Sequence, residues 1–382
     1  MANILDYLDW RGDLLLTERG FNEVDNLLLA ELCYLDLEHI VPAGFDETVL
    51  LEQAMARYDE LRAHETMGVL VPDTIPLLGR KMAASRRFDQ LRLCGYVSRL
   101  DEQTQTQFSA LTILLPDETA YVAFRGTDDT LVGWKEDFNL AFLPVVPAQQ
   151  MAERYLCAAA DALPQLALRV GGHSKGGNLA VYSAVFCPQT VQNQLLRVYN
   201  NDGPGFRTSL LELPEHRRVA DRILTIIPES SVVGMLLEHE ERYTVVRSTQ
   251  IGLMQHDGFS WQVRGERFEQ LPQQSEGGRL IDETLHTFIL SLSDRQRAAF
   301  TDALFDILTC TDADTLTDLK EGGLKTAAAM LKTYRELDKP TRQALGSTLR
   351  LLIKAAASEL HPVQRILRHL PLQKLADELD LE

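Results

Sequence analysis

The fold of this chain is indicated most clearly by the segment Arg169-Val170-Gly171-Gly172-His173-Ser174-Lys175-Gly176-Gly177-Asn178-Leu179-Ala180. Gly172, Ser174 and Gly176 have the G-x-S-x-G spacing of a nucleophile elbow, in which a strand runs through a sharp turn into a helix. An apolar run at residues 166–170 precedes the motif, and a helix-compatible stretch at 179–186 follows it. A side chain on either glycine would collide with the neighbouring strand or helix. The pattern predicts a nucleophilic serine, with a glycine-rich structural turn as the alternative.

The composition is that of an ordinary globular protein, with 382 residues, of which 45% are hydrophobic and 24% charged. The formal net charge of −17 argues against a nucleic-acid partner, because phosphate binding needs clustered Lys and Arg, and no such run is present. The five cysteines are scattered and lack C-x-x-C spacing, which favours reduced thiols over a disulfide framework or a zinc site. They are Cys33, Cys94, Cys157, Cys187 and Cys310.

Targeting signals are not recognisable in the sequence. The start, Met1-Ala2-Asn3-Ile4-Leu5-Asp6, has no basic segment followed by an apolar one. No apolar run reaches the length of a membrane span. No His/Asp/Glu cluster has the spacing of metal ligands, so neither a metal nor another cofactor is expected. We therefore expect a cytoplasmic protein without a transmembrane segment.

The periodicity of the apolar residues changes along the chain. The first eighty residues look mainly helical: residues 21–26 lead into the run 27–32, and Asp46 is expected to cap a second helix. The apolar stripe of that second helix would consist of Leu50, Ala54, Tyr58 and Leu61. From about residue 95 the pattern becomes that of strands. Strands are predicted at 96–100, 108–115, 120–124, 196–199, 222–227 and 243–247.

From the elbow onward strands and helices alternate, which is typical of a largely parallel sheet with helices on both faces. After residue 278 the pattern is helical to the end. The expected features there are a capping box of Ser293 and Gln296, an apolar stripe of Phe300, Leu304, Ile307 and Leu308, and a helix opened by Asp338 and Pro340. We expect an N-terminal helical segment at 1–80 packed on an α/β core at 81–285, with a helical C-terminal extension at 286–382.

A second informative stretch is Tyr121-Val122-Ala123-Phe124-Arg125-Gly126-Thr127-Asp128-Asp129, followed by Trp134-Lys135-Glu136-Asp137. A strand that ends in Arg-Gly-Thr places backbone N–H groups and the Thr127 hydroxyl at the same edge of the sheet as the elbow, where an oxyanion needs donors. We expect Arg125 and Asp137 to form an ion pair that braces this loop, with substrate contact as the alternative. The Lys175 side chain could be a surface charge or could attract an anionic substrate.

Together, the two stretches resemble the class 3 lipases, the fungal triacylglycerol-lipase type of α/β-hydrolase, over about residues 95–260. The whole chain looks more closely like the Mbeg-like family of bacterial α/β-hydrolases. The features that carry this second resemblance are Asn22-Glu23-Val24-Asp25-Asn26-Leu27, the elbow at 172–178, Asn200-Asn201-Asp202-Gly203-Pro204-Gly205-Phe206, and Gln255-His256-Asp257 before Phe259-Ser260-Trp261. The resemblance implies an α/β-hydrolase fold with a mostly parallel central sheet.

The resemblance also implies site residues. It makes Ser174 the nucleophile and Thr127 an oxyanion-hole residue, and the backbone N–H of Lys175 would be the other donor. The base must be a histidine after the serine, and His256 fits because it follows the last predicted strand in a polar loop. His173 is too close to the serine in sequence. The other histidines are His216 and His239 in charged stretches typical of exposed residues, His286 in a helical pattern, and His361 and His369 in the tail.

The acid has several candidates. In class 3 lipases it follows the second strand after the elbow, which corresponds here to residues 226–234, where this chain offers serine instead of aspartate. Asp202, in a Gly- and Pro-rich loop after the first strand beyond the elbow, is the preferred candidate, with an Asx turn as its alternative role. Glu229 is the second candidate. Asp257 or no acid at all remain, although Asp257 is poorly placed to orient the ring of the adjacent His256.

The function that these residues imply is that of a lipase- or esterase-like serine hydrolase, which cleaves a carboxylic ester or related acyl compound through an acyl-serine. The expected partner is a small acyl or lipid-like substrate. Two alternatives belong to other classes. One is an α/β-hydrolase fold whose site has decayed into a binding module. The other is an interaction protein in which the C-terminal helices do the work and the hydrolase core is a scaffold.

Overall fold

A nine-stranded sheet forms the framework of the part of the chain that this computed structural model describes. The described residues are 2–62, 66–68, 71–140, 143–206, 211–231, 233–234, 237, 243–275, 294–311, 313–337, 339, 341–343 and 345–346. The strands are β1 (Val49–Leu50), β2 (Arg92–Asp101), β3 (Thr106–Leu114), β4 (Thr119–Phe124), β5 (Ala167–His173), β6 (Leu195–Asn201), β7 (Ile223–Pro228), β8 (Tyr243–Val246), β9 (Val263–Arg264), β10 (Arg267–Phe268) and β11 (Gln270–Leu271).

The sheet is mostly parallel, as predicted. Its order is β1-β2-β3-β4-β5-β6-β7-β8-β11, and β4 to β8 are parallel neighbours. The strands β1 to β4 pair antiparallel, β11 pairs antiparallel with β8, and β9 and β10 form a separate ribbon. Every residue of β4 is buried, because helices cover both of its faces. The carboxyl ends of β4, β5, β6 and β7 therefore meet at one edge of the sheet.

Helices precede, flank and follow the strands, which confirms the α/β-hydrolase architecture with helices at both ends. They are α1 (Ile4–Arg11), α2 (Glu23–Leu32), α3 (Leu51–Arg62), α4 (Ile75–Ala83), α5 (Leu131–Leu140), α6 (Pro147–Ala162), α7 (Lys175–Phe186), α8 (Gln189–Gln194), α9 (Pro214–Arg217), α10 (Asp294–Leu308), α11 (Leu316–Glu321) and α12 (Gly323–Glu336). Short 3-10 turns occupy Ala220–Arg222, Gly252–His256 and Gly258–Ser260. Within the described ranges, no helix is both long and apolar enough to cross a membrane.

The N-terminal helices pack on one face of the sheet, and α2 lies closest to the site. It starts at a capping box in which the Asn22 side chain accepts from the backbone of Val24 and Asp25, and the Asp25 carboxylate accepts from the Asn22 N–H. Asp25 also forms a buried ion pair with Arg87. Leu27 and Leu28 of α2 belong to the same hydrophobic cluster as residues of β4 and of the chain after β8. The position of α2 is therefore fixed relative to the sheet.

One helix start and two stripe residues, Leu50 and Leu61, were predicted wrongly. Asp46 does not cap α3, which begins only at Leu51, because Val49 and Leu50 pair with β2 as a short strand. The exposed face of α3 also carries Leu61, which is 61% exposed, whereas Ala54 and Tyr58 are buried as predicted. The spacing of apolar residues alone does not show that the residues before a helix pair with the edge of a sheet.

The C-terminal helices pack against α5. Phe138 and Phe305 make an edge-on ring contact with centroids 5.7 Å apart, and Lys135 pairs with Asp302. Thr130 and Thr315 form an isolated β-bridge at the start of α5. The predicted stripe of α10 is confirmed, since Ile307 is buried and Phe300, Leu304 and Leu308 are partly buried in this cluster. Ser293 of the expected capping box, and Asp338 and Pro340 of the expected further helix, lie outside the described residues.

Candidate functional site

The elbow has the predicted form. The strand β5 ends at His173, Ser174 has a φ of 57° and a ψ of −132°, and α7 begins at Lys175. A positive φ is costly for a residue with a side chain, so the strain marks a position that the surroundings enforce. A Cβ on Gly172 would overlap the Gly176 backbone and the Phe124 carbonyl oxygen, and a Cβ on Gly176 would also overlap that oxygen. The two glycines therefore let strand, turn and helix approach each other, as expected.

Ser174 is anchored through its backbone. Its N–H donates to the Asn201 carbonyl oxygen at 2.9 Å, which continues the β5–β6 ladder past the end of β5. Its own carbonyl oxygen accepts from Gly177 N–H at 2.9 Å. The residue is 9% exposed. The first N–H groups of a helix have no partner within the helix and carry its positive dipole, so the start of α7 suits developing negative charge beside the serine.

Asp202 follows β6 directly and faces His256. Its φ is 51°, and its N–H donates to the Ile226 carbonyl oxygen at 2.8 Å. The side chain is fully buried, and Oδ2 lies 2.6 Å from His256 Nδ1. The Ser231 hydroxyl, which follows β7, donates to Oδ1. Both oxygens of the carboxylate are therefore held, one by the imidazole and one by a hydroxyl, at the edge of the sheet where the elbow lies.

His256 sits at the end of the 3-10 turn Gly252–His256, and its side chain is 25% exposed. The loop is pinned by Gln255, whose carbonyl oxygen accepts from Trp261 Nε1 at 2.9 Å and whose side-chain oxygen accepts from Ser230 N–H at 2.8 Å. When Nδ1–H donates to Asp202, the other ring nitrogen, Nε2, is the neutral acceptor. The geometry thus gives the ring a defined tautomer.

His173 lies under the His256 ring, which the sequence did not reveal. The two ring centroids are 4.6 Å apart, and His173 Nε2 donates to the His256 carbonyl oxygen at 2.8 Å. That bond leaves Nδ1 as the acceptor of the Tyr34 hydroxyl, 3.2 Å away. Burial, and secondarily the neighbouring His256, lower the pKa of His173 well below its usual value. His173 is therefore a neutral ring that links the N-terminal segment to the His256 loop.

The loop after β4 lies beside Ser174. A Cβ built on Gly126 would lie 3.1 Å from the Ser174 Cβ and 2.6 Å from the His173 carbonyl oxygen, so this approach requires glycine. Thr127 follows, and its hydroxyl donates to Asp137 Oδ2. Burial raises the pKa of Asp137 to about 6, although Lys175 and the Thr127 hydroxyl oppose that shift. The structure thus places Thr127 beside the elbow, with its hydroxyl turned to Asp137.

The expected ion pair between Arg125 and Asp137 is wrong. Arg125 pairs instead with Asp128, three residues along the same loop, at 2.9 Å between Nη2 and Oδ2. Asp137 is occupied by the Thr127 hydroxyl and lies near Lys175. Spacing along the sequence does not show that Asp128, three residues away, takes the place of Asp137 as the ion-pair partner of Arg125.

The Lys175 side chain is neither a surface charge nor available to an anionic substrate, so both interpretations of it were wrong. It is fully buried, and Nζ lies 3.0 Å from Glu136 Oε2. Nζ also donates to the backbone and side-chain oxygens of Gln107, at 2.9 and 2.6 Å. The side chain runs away from the serine into the space between α5 and β3.

The other candidates for the acid are Glu229 and Asp257, and four of the five other histidines after His173 lie outside the described residues. Glu229 is partly buried, and its carbonyl oxygen accepts from Ser275 N–H. The Asp257 carboxylate accepts from Phe259 N–H and so caps the next turn. His216 was expected to be exposed, but it is fully buried, because α9 packs against α7. His239, His286, His361 and His369 lie outside the described residues. No group of three or more potential metal ligands occurs among the described residues.

The parallel sheet, the strained Ser174 turn and the helix behind it define a protein of the α/β-hydrolase fold. The model of the Mbeg1-like family matches residues 82–306, more than half of the chain, so the protein belongs to the Mbeg1-like family. This confirms the family inferred from the sequence. Comparison with curated protein sequences gives no match.

Solved structures similar to this chain include three lipases. Lipase II from Rhizopus niveus is 12% identical and has a TM-score of 0.36, and the match covers 58% of this chain and 78% of the lipase. A Rhizomucor miehei lipase in complex with its propeptide is 16% identical, with a TM-score of 0.34 and coverages of 60% and 70%. M37 lipase is 12% identical, with a TM-score of 0.34 and coverages of 56% and 70%. Similarities of this size identify neither a reaction nor a substrate for this chain.

Proposed function

We propose that this protein is a serine hydrolase of the lipase or esterase type, in which Ser174 is the nucleophile, His256 the base and Asp202 the acid. The observation that carries the proposal is the 2.6 Å contact between Asp202 Oδ2 and His256 Nδ1. A buried carboxylate on Nδ1 is what a base at Nε2 requires, because it fixes the tautomer and stabilises the imidazolium. The nucleophile elbow ends at the same edge of the sheet, since Ser174 and Asp202 follow neighbouring strands.

The reaction follows from this arrangement. His256 Nε2 takes the proton from Ser174 Oγ as the oxygen attacks the acyl carbonyl, and a tetrahedral oxyanion forms. The backbone N–H groups of Lys175 and Thr127 donate to that oxyanion. The intermediate collapses when the C–O bond to the leaving alcohol breaks and the imidazolium returns its proton to that oxygen. Water then attacks the acyl-serine through the same steps and releases the carboxylic acid.

Thr127 acts through its backbone in this proposal. Its hydroxyl already donates to Asp137, so the hydroxyl proton is directed away from the oxyanion. The bond instead fixes the peptide of Thr127 next to the elbow, where Gly126 permits close approach to Ser174. A donor that is held before the substrate binds needs no reorganisation during the reaction, which is the source of its effect on rate.

The proposed substrate class is a small carboxylic ester or related acyl compound, and no cofactor takes part in the steps above. We place the protein in the cytoplasm, because all five cysteines are free thiols and free thiols persist in reducing compartments. The decayed-site alternative was suggested by a serine at the position where lipases carry their acid. Ser231 lies in that stretch and donates to Asp202, so the serine is compatible with an intact acid at residue 202. We therefore favour the enzyme.

Hydrolysis of p-nitrophenyl esters of increasing acyl length tests the proposal, with wild type compared to Ser174→Ala and His256→Ala. Each variant is first checked for native circular dichroism and thermal unfolding. We expect turnover in wild type that falls by about 1,000-fold or more in both variants, because the catalytic residues act as a unit. Glu229→Gln is the matched control and is expected to retain turnover. A folded wild type that hydrolyses none of the esters would count against the enzyme and for the binding module.

A further inference from the structure

Behind the elbow lies a buried charged cluster that the proposed reaction does not use directly. It consists of Lys175 at the start of α7, Glu136 and Asp137 on α5, and Gln107 on β3. The Lys175 and Glu136 side chains are 0% exposed. Removing an ammonium and a carboxylate from water is energetically costly, and their attraction often does no more than offset that cost. Stability alone therefore gives little reason for an ion pair here.

The Lys175 and Glu136 charges are fully hydrogen-bonded. Lys175 Nζ has three donors, and they meet Glu136 Oε2, the Gln107 carbonyl oxygen and the Gln107 side-chain oxygen. Glu136 Oε2 also accepts from Gln107 N–H at 3.0 Å, and Glu136 Oε1 accepts from Ala148 N–H at 3.0 Å. The cluster therefore ties the first residue of α7 to α5, β3 and the start of α6 in one arrangement.

Asp137 connects this cluster to the oxyanion loop. Its Oδ2 accepts from the Thr127 hydroxyl. Its Oδ1 is buried without a hydrogen-bond partner among the described residues and lies 3.9 Å from Lys175 Nζ. The charge of Lys175 is thus the main attraction on that oxygen. A closed path runs from the Lys175 backbone through its side chain to Asp137, on to Thr127, and back through Gly126 to Ser174.

We propose that the buried Lys175 side chain is a positioning residue that sets the oxyanion hole by holding Asp137, and through it Thr127, at a fixed distance from Lys175's own backbone N–H. The inference rests on the proposed function, since it assigns both N–H donors to the oxyanion. Lys175 then contributes twice: its N–H is one donor, and its side chain places the other. The pair with Glu136 keeps the ammonium in place while leaving its charge within reach of Asp137.

The test is a double-mutant cycle on the rate of labelling by a fluorophosphonate probe, whose addition to serine needs the oxyanion hole. One arm is Lys175→Met with Glu136→Gln, which neutralises the buried pair together. The other arm is Asp137→Asn, and the third protein combines all three changes. We expect each arm to slow labelling about tenfold, a part of the 100-fold or greater effect of losing a donor. The labelling rate of the combined variant is expected to lie within threefold of that of the slower arm, because both arms disrupt the same path.

A matched control removes another ion pair of α5, between Lys135 of α5 and Asp302 of α10, through Lys135→Met with Asp302→Asn. That pair is exposed on its Asp302 side, and we expect labelling within twofold of wild type. If Lys175 and Asp137 act on labelling independently, the effects of the two arms multiply to about 100-fold in the combination, and that outcome would overturn the proposal. Labelling within threefold of wild type in the neutralised pair would overturn it as well.

A second measurement covers the case in which the neutralised pair does not fold. Glu136→Gln alone retains the Lys175 side chain, and the Asp137 carboxyl is titrated by ¹³C NMR in this variant and in wild type. Lys175, Glu136, Thr127, Tyr34 and His256 are the groups whose charge or hydrogen bond acts on or faces Asp137. We expect Asp137 to titrate at a lower pH in the variant, because a repelling carboxylate is gone and the ammonium turns to Asp137. An unchanged titration would overturn the proposal.

The outcomes also separate this inference from the proposed function. Wild type that labels, Ser174→Ala that does not, and effects that multiply in the cycle leave the hydrolase standing and remove the role of Lys175. A folded wild type that does not label removes both.

Discussion

Replacing Asp202 by Asn should be among the most damaging conservative changes in the protein. The site is fully buried and holds the side chain between His256 Nδ1, 2.6 Å from Oδ2, and the Ser231 hydroxyl. The Ser231 hydroxyl can go on donating to the amide oxygen, so the amide can turn its NH₂ group toward His256. The ring then carries its proton on Nε2 and cannot act as base. The negative charge that stabilises the imidazolium is lost in either orientation.

The expected magnitude follows from this loss. The same substitution in a serine protease lowers kcat by about 10,000-fold, equivalent to about 5.5 kcal/mol of transition-state stabilisation. We expect the second-order rate constant for fluorophosphonate labelling to fall by about 1,000- to 10,000-fold in Asp202→Asn. Ser231→Ala keeps the carboxylate but removes one hydrogen bond to it, so a smaller loss of about tenfold is expected. Both labelling rates are measured after cooperative unfolding has shown that each variant is folded.

The control is Glu229→Gln, which alters the other candidate for the acid and is expected to label within threefold of wild type. Folded Asp202→Asn protein that labels within tenfold of wild type would refute the assignment of the acid. A larger loss in Glu229→Gln than in Asp202→Asn would refute it too and would move the role to Glu229.

Three further changes probe the surroundings of the site. Gly126→Ala should destabilise the protein by about 1–3 kcal/mol and abolish labelling, because the added methyl overlaps the Tyr34 hydroxyl and crowds Ser174. Normal labelling would contradict the close approach of Gly126 to Ser174. Tyr34→Phe removes the hydroxyl that donates to His173. The free energy of unfolding in urea should fall by about 1 kcal/mol, and labelling should slow several-fold. No change in either quantity would contradict a role for this hydrogen bond. Asp137 has a pKa raised from 3.8 to about 6, so the folded protein retains its proton over that interval while the unfolded chain does not. Wild type should therefore lose up to about 3 kcal/mol of stability relative to Asp137→Asn as the pH rises from about 4 to about 6, and a constant difference would contradict the raised pKa.

The local signals in the sequence were sufficient for the parallel part of the sheet. Period-2 patterns and turn residues predicted the strands, and the G-x-S-x-G spacing predicted the turn at Ser174 with a strand before it and a helix after it. These features depend on residues close together in the chain, where steric and periodic rules apply directly. Asp202 and His256 were chosen as acid and base because each follows a predicted strand and because the fold has the chain order Ser, acid, His.

The contacts behind the site could not be predicted in the same way. Lys175 contacts Glu136 and Gln107 only because α5 and β3 pack beside the start of α7. Local sequence patterns do not predict that packing. Tyr34 reaches His173 from the N-terminal segment, 139 positions away in the sequence. The prediction that His216 is exposed was wrong, because its charged neighbours lie on the outer face of a short helix whereas His216 itself faces inward and is buried. Buried polar partners are decided by tertiary structure.

Peptide mapping by mass spectrometry after fluorophosphonate labelling tests whether Ser174 is the nucleophile. We expect one phosphonyl adduct, on the peptide that contains Ser174, whose formation is blocked by prior incubation with a slowly turned-over ester. It also predicts that the adduct is absent from folded Ser174→Ala protein. An adduct on another residue, or a folded wild type that carries none, would contradict the assignment of Ser174 as the nucleophile of a serine hydrolase.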